Sequence, residues 1–228
     1  MYLLPMFAIR QGKLKTEKAR HVFGSDLNMW INPKIIIKSI KKDTVVKNDI
    51  MQRKYFFNNF IVGGKWDLDN EYFCNDRNFT EICELFYFKE DYEHSPSYSR
   101  YLIDLNEGKS IKDHKGKRIE SIEAVDEMYR YYLNLIELMK FGYREKIDDD
   151  NVFDEIGVAI SSKSEFFHFR TGHHRLSIAK MLQLDRVKVS VHIVHSNWVL
   201  SQIDKYQLSE IDSIREGLNR LRRGNVPA

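Results

Sequence analysis

Apolar residues recur along this chain at two spacings, every second residue in some stretches and every third or fourth in others, and the two spacings predict strands and helices in turn. In the first sixty residues, KIIIKSI and KYFFNNFIV are separated by basic and polar residues and read as short strands with loops. Trp30 with Asn32-Pro33 marks a turn, and VGGKWDLDN, Val62 to Asn70, reads as a Gly-Gly turn opening a bent loop. Phe79, Ile82, Cys83 and Phe86 fall at helical spacing. The polar stretch from Lys89 to Arg118 reads as loops around NEGKS and DHKGKR. The clearest helix follows it: Ser121 caps the start, Val125, Met128, Tyr132, Leu135, Ile136 and Met139 form the stripe, and Gly142 stops it.

An acidic loop, KIDDDNVFDE, then leads into a strand over 156–160, and SSKS turns the chain into the strand EFFHFR. LSIAKMLQL is a short helix, and VKVSVHIV is a strand with apolar residues at 187, 189, 191 and 193. The tail from Asn197 to Arg223 is one or two amphipathic helices ending in the basic NRLRRGN. The predicted fold class is α/β (α+β), a small mixed sheet with packed helices.

Composition narrows the function classes. At 228 residues and 43% hydrophobic the chain buries a sizeable core. Lys+Arg 36 against Asp+Glu 33 leaves a net charge of +3, too balanced to argue for nucleic acid or an anionic membrane, so any basic site is local. Cys74 and Cys83 have neither CxxC spacing nor a nearby histidine pair, which predicts buried reduced thiols in a cytoplasmic protein rather than a disulfide framework or a zinc site. The start, MYLLPMFAIRQGKLK, lacks the features of a signal peptide, and no apolar run approaches the ~20 residues of a membrane span.

The chemistry concentrates in FHFRTGHHRLSIAK. Gly172 stands where a strand gives way to a helix, and a helix start exposes unpaired N–H groups and the positive end of the macrodipole, favouring phosphate or carboxylate. Arg175 can grip a phosphate with its fork of donors, and His173 and His174 can donate hydrogen bonds, move protons or ligate a metal. Arg170 adds charge to such a site or points to the other face of its strand.

Gly172, His173, His174, Arg175, Ala179, Leu182 and the strand Val187 to Val191 together resemble the core of the ParB/sulfiredoxin superfamily, over roughly residues 110–196. The resemblance implies a nucleotide-binding core over 110–196, with an N-terminal extension or acceptor-binding subdomain over 1–109 and a helical tail over 197–228. His173 stands where sulfiredoxins place their cysteine, and the residues after His195 leave too little room for the DNA-binding domain of ParB proteins. The box is most similar to that of the free serine kinases, with Thr171 in place of their aspartate. The implied activity is a phosphotransferase using ATP or ADP with Mg2+ on a small-molecule or sugar hydroxyl. Alternatives are a non-catalytic nucleotide- or DNA-binding module, with the tail Arg215 to Arg223 on nucleic acid, and a metal-dependent nuclease.

Phosphoryl transfer needs phosphate grips, a metal and a base. Thr171, Gly172, His173, His174, Arg175 and Arg170 are the expected cofactor-binding residues, with His174 also a proton-transfer group. Asp148, Asp149, Asp150, Asp154 and Glu155 supply carboxylates, of which Asp150 and Glu155 are the expected metal ligands and Glu155 also the base, unless the run is simply a solvated loop. Asp67 and Asp69, beside Lys65, read either as a hydrogen-bonded turn or as an acceptor-binding loop, with Asp67 the catalytic candidate. His195 emerges at a sheet end and lines the nucleotide site in this reading, Trp198 stacks a base or packs in the core, and His168 is structural.

Overall fold

Val187–His195 reads VKVSVHIVH, and this run of β-branched residues forms the central strand of a mixed α/β architecture. The structure is a computed structural model that describes residues 14–40, 56–68, 70–113, 116–142 and 155–224. Its elements, in chain order, are α1 (Thr16–Phe23), β1 (Asn28–Ile31), β2 (Lys38–Ile40), β3 (Ile61–Val62), β4 (Asn70–Tyr72), α2 (Arg77–Phe88), α3 (Pro96–Asn106), β5 (Ile111–Lys112), β6 (Arg118–Ile119), α4 (Ile122–Lys140), β7 (Ile156–Ile160), β8 (Phe166–His168), α5 (His173–Met181), β9 (Val187–His195), α6 (Ser196–Tyr206) and α7 (Glu210–Gly224).

The main sheet runs β1-β9-β7-β8-β2-β4, and β3 pairs with the far end of β9. Parallel pairing joins β7 to β9 and β2 to β8, while β1–β9, β7–β8 and β2–β4 are antiparallel. A separate ribbon is made by β5 and β6. The residues before 110 are therefore not a subdomain set apart from the core. They supply β1 through β4: β1 and β3 pair with β9, β2 with β8, and β4 with β2.

Several helix starts follow from single side chains. Asp76 Oδ1 accepts from the Asn78 N–H at the start of α2, and the Ser121 hydroxyl accepts from the Ala124 N–H at the start of α4. Ser95 followed by Pro96 opens α3, within the stretch expected to be loops, and its hydroxyl accepts from the Tyr98 N–H. The periodic signal there is weak because only Ser97, Tyr98 and Tyr101 of α3 are buried.

The sheet buries both faces. Ile156, Val158 and Ile160 of β7 and Val187, Val189 and Val191 of β9 join the larger core beneath the helices, while Ala159 faces a smaller cluster with Phe56, Val62, Trp66, Phe167 and Phe169. Val158 pairs with Val191 but Ala159 with Ile193, so His192 is an extra residue, a β-bulge. The bulge reverses the alternation: Val194, not Ile193, continues the main-core face, and Ile193 belongs to the smaller cluster. The expected single face of 187, 189, 191 and 193 breaks at this point.

One further expectation is corrected, and the alternatives for Trp198 are decided. Cys74 is exposed and Cys83 half-buried, both as free thiols. Trp198 is buried against α7, where Gly217 leaves space for its ring, so it is a packing residue rather than a platform for a base. Among the described residues no helix is long and apolar enough to cross a membrane.

Candidate functional site

Strand β8 ends at His168, and the chain reaches α5 through Phe169, Arg170, Thr171 and Gly172. Gly172 has φ +79°, and a Cβ there would lie 2.7 Å from the Ile156 Cα, so both the left-handed backbone and the close approach to β7 require glycine. The first helical bond runs from the Leu176 N–H to the Gly172 carbonyl, leaving the amides of His173, His174 and Arg175 outside the α5 ladder.

These residues line a pocket of about 330 Å3 together with Arg170, Thr171, Lys112, Asp113, Asn78, Tyr101, Tyr131, Tyr132 and Leu135. The volume falls at the lower end of the ~300–1,000 Å3 usual for small-molecule sites. Six of the seven residues expected to bind the cofactor thus share one cavity: Arg170, Thr171, Gly172, His173, His174 and Arg175. The seventh, His195, does not.

Within the pocket the side chains are individually held. The His174 ring stacks on Tyr132 at a centroid distance of 4.3 Å. His173 lies 4.1 Å from the His168 ring and places Nε2 3.8 Å from Asp76 Oδ2. His168 is buried, and its Nε2 lies 3.0 Å from the Thr171 carbonyl, where it fixes the turn. Thr171 Oγ1 donates to the Glu155 carbonyl at 2.8 Å, so its proton holds the start of β7 rather than facing a ligand. Arg170, itself at φ +69°, lays its guanidinium over Phe57 and Phe169.

The other expected residues lie elsewhere. Glu155 turns its carboxylate toward Lys188, at 4.0 Å, and is not part of the pocket wall. Strand alternation explains this: Ile156 points into the main core, and its neighbour faces the opposite side. Asp69, Asp148, Asp149, Asp150 and Asp154 fall outside the described residues. Among the described residues no group of three or more His, Cys, Asp or Glu side chains is arranged to hold a metal ion.

Asp67 and His195 sit at the opposite end of β7 and β9 from Gly172, some six residues along the strands or about 20 Å. Both are buried. Asp67 Oδ2 accepts from the N–H and hydroxyl of Ser162, and Oδ1 lies 3.6 Å from His195 Nε2. His195 Nδ1 accepts from the Asn197 N–H, capping α6, which leaves Nε2 to donate to the Gly64 carbonyl at 2.9 Å. Burial acts to raise the Asp67 carboxyl, but the Ser162 hydroxyl and N–H, then His195, hold it below its ordinary value. With every group engaged, this cluster clamps the Val62–Leu68 loop to the sheet, in the manner of the hydrogen-bonded turn alternative.

The sequence reading missed the helical wall of the pocket. Lys112 and Asp113 come from the β5–β6 ribbon, and Tyr131 and Tyr132 from α4. Behind Tyr101 lies Glu81, buried, with Tyr101 Oη donating to Oε2 at 3.2 Å and Oε1 without a hydrogen-bond partner. Burial pushes its carboxyl up to about 7, against the opposing pull of Tyr101, Arg77 and Arg100. Glu81 lies off the apolar stripe of Phe79, Ile82 and Phe86, sharing the buried face of α2 with Ile82 and Leu85, so the spacing gave no signal for it.

The basic tail is partly committed to the fold. Arg215 pairs with Asp26 at 2.9 Å and with Asp212, and Arg222 donates to the carbonyls of Ser25, Asp26 and Asn28. Against this geometry, no family model, curated protein or solved structure matches the chain.

Proposed function

We propose that the chain is a nucleotide-dependent phosphotransferase acting on a small molecule or sugar that carries a hydroxyl group. One observation carries the reading: a single pocket joins the N-terminus of α5 to Lys112, Arg170, His173, His174 and Arg175. That set of donors suits a phosphate chain, with a helix N-terminus, a lysine and arginines converging on it. The resemblance of the Gly172–Arg175 box to free serine kinases points the same way.

In this reading the α5 amides and Arg175 hold the phosphates, and Lys112 neutralises charge as the phosphoryl group moves. His174, its ring fixed by Tyr132, takes the proton of the attacking hydroxyl, and His173 is oriented by Asp76. Among the described residues the wall contributes one carboxylate, Asp113. A donor set this small fits Mg2+ carried on the phosphates rather than caged by the protein, and Asp113 is the residue that would hold it. When bound, the metal supplies charge neutralisation on the transferring group.

The first test is a thermal-shift screen of ATP, ADP, CTP and GTP with and without Mg2+, because a ligand that binds the native state raises its apparent stability. A shift with one nucleotide, lost in the double variant Lys112→Ala/His174→Ala, is the expected result. Lys112 is exposed and His174 half-buried, so the variant tests the site rather than the fold. No shift with any nucleotide removes the reading.

A further inference from the structure

On the other side of the Arg170–Thr171 segment lies a smaller cavity of about 40 Å3, lined by Thr16, Arg20, Phe57, Phe169, Arg170, Thr171, His192 and Ile193. We propose that this cavity is a binding site for a small oxyanion, a phosphate or carboxylate group, distinct from the pocket over α5. Its volume is several times the ~10–15 Å3 that one water requires, enough for a small polyatomic ion.

The charges in the wall are of one sign. Arg20 comes from α1 and Arg170 from the turn after β8, while among the described residues the lining holds no carboxylate. Among the described residues neither arginine is paired with an acid. Two guanidinium groups that converge beside a buried imidazole repel one another and hold the ring uncharged, and a bound anion offsets that repulsion. The apolar walls, Phe57, Phe169 and Ile193, lower the local dielectric and strengthen the attraction.

Two further features favour an anion. Helix α1 begins at Thr16 with no side-chain cap on its first amides. The Thr16 hydroxyl oxygen is buried and among the described residues has no hydrogen-bond partner, leaving a donor that a ligand oxygen would satisfy. The backbone also makes room for His192. The bulge in β9 sets its ring toward β7, where Gly157 presents no side chain; a Cβ at Gly157 would lie 3.2 Å from His192 Cε1 and 2.8 Å from Thr171 Oγ1.

The groups facing His192 are Arg20 and Arg170. Burial first, then these two cations, pushes the imidazole down to about 4, so it is neutral at pH 7. An anion beside it reverses the local field, and binding therefore raises the titration midpoint of His192 and tightens as pH falls.

The test is NMR of the His192 ring in the full chain, titrated with inorganic phosphate, acetate or chloride at constant ionic strength, with His192→Gln to assign the signal. Saturable shifts with phosphate alone mark a phosphate ligand, and saturation with acetate as well marks a carboxylate. In either case the midpoint should rise by about one unit, and Arg20→Gln should weaken binding ~10-fold. Lys112→Ala/His174→Ala, which alters the pocket over α5, should leave it unchanged. Absence of a saturable shift with all three salts overturns the proposal, as does equal loss in the Lys112→Ala/His174→Ala variant, which would place the ion over α5. Nucleotide binding is read separately, so failure here leaves the phosphotransferase reading standing.

Discussion

Two buried carboxylates at separate places in the fold behave oppositely. Asp67 sits where β7 and β9 end, and accepts two hydrogen bonds from Ser162 with His195 beside it; its carboxyl is held low. Glu81 sits in α2 behind the pocket, receives one hydroxyl and leaves Oε1 without a partner; burial pushes it up to about 7. Desolvation penalises both charges, and the number of donors aimed at each decides which way it moves. A histidine and a carboxylate close together mark a clamp when every atom is satisfied and sealed, and a candidate site when the ring opens on a cavity. His195 is the first case and His173, beside Asp76 and lining the pocket, the second.

The largest effect should come from breaking the clamp. Asp67→Ala leaves the N–H and hydroxyl of the half-buried Ser162 without their acceptor, and should cost about 3 kcal/mol in urea unfolding at pH 7. A loss below about 1 kcal/mol would contradict the clamp. Because its folded carboxyl is lowered, the wild-type contribution is present above the unfolded value and fades as pH falls through the folded one. Glu81 gives the opposite slope. Its rise from 4.5 to about 7 means that the native state holds a proton the unfolded chain has released, so stability declines across that interval by up to roughly 3 kcal/mol. Glu81→Gln should flatten that decline in melts compared at pH 5 and pH 8, and an unchanged slope would show that Glu81 is ionised throughout.

How far these regions were legible follows from what each depended on. Strand β7, helix α4 and the Gly172–Arg175 turn depend on local signals, such as the apolar run of 156–160, the Ser121 cap and a glycine at a strand end, and the sequence carries them. The position of Asp67 depends on β3 joining β9, a contact between distant residues that periodicity cannot reveal. Glu155 went astray through one strand position, since its neighbour Ile156 takes the core face. The phase change at His192 is likewise invisible locally, because VHIV reads as plain alternation. The helical wall was missed since Lys112 and Asp113 lie in a polar ribbon that resembles any surface loop until α4 is folded against the sheet.

The smallest predicted effect separates the two kinds of histidine most cleanly. His174→Ala removes a half-buried ring stacked on Tyr132 and one wall of an open pocket. It should change unfolding stability by less than about 1 kcal/mol while weakening nucleotide binding ~10-fold, the worth of one charge-assisted or proton-sharing contact. His195→Ala should do the reverse, because it removes both the cap of α6 and the tie to the Gly64 carbonyl, about 20 Å along the strands from the pocket. Calorimetric titration of the two variants with the nucleotide identified by thermal shift, paired with urea curves, therefore yields a crossed pattern if the assignments hold. Equal loss of affinity in both would mean that the clamp transmits to the pocket through β7 and β9, and that the two ends of the sheet cannot be treated as separate.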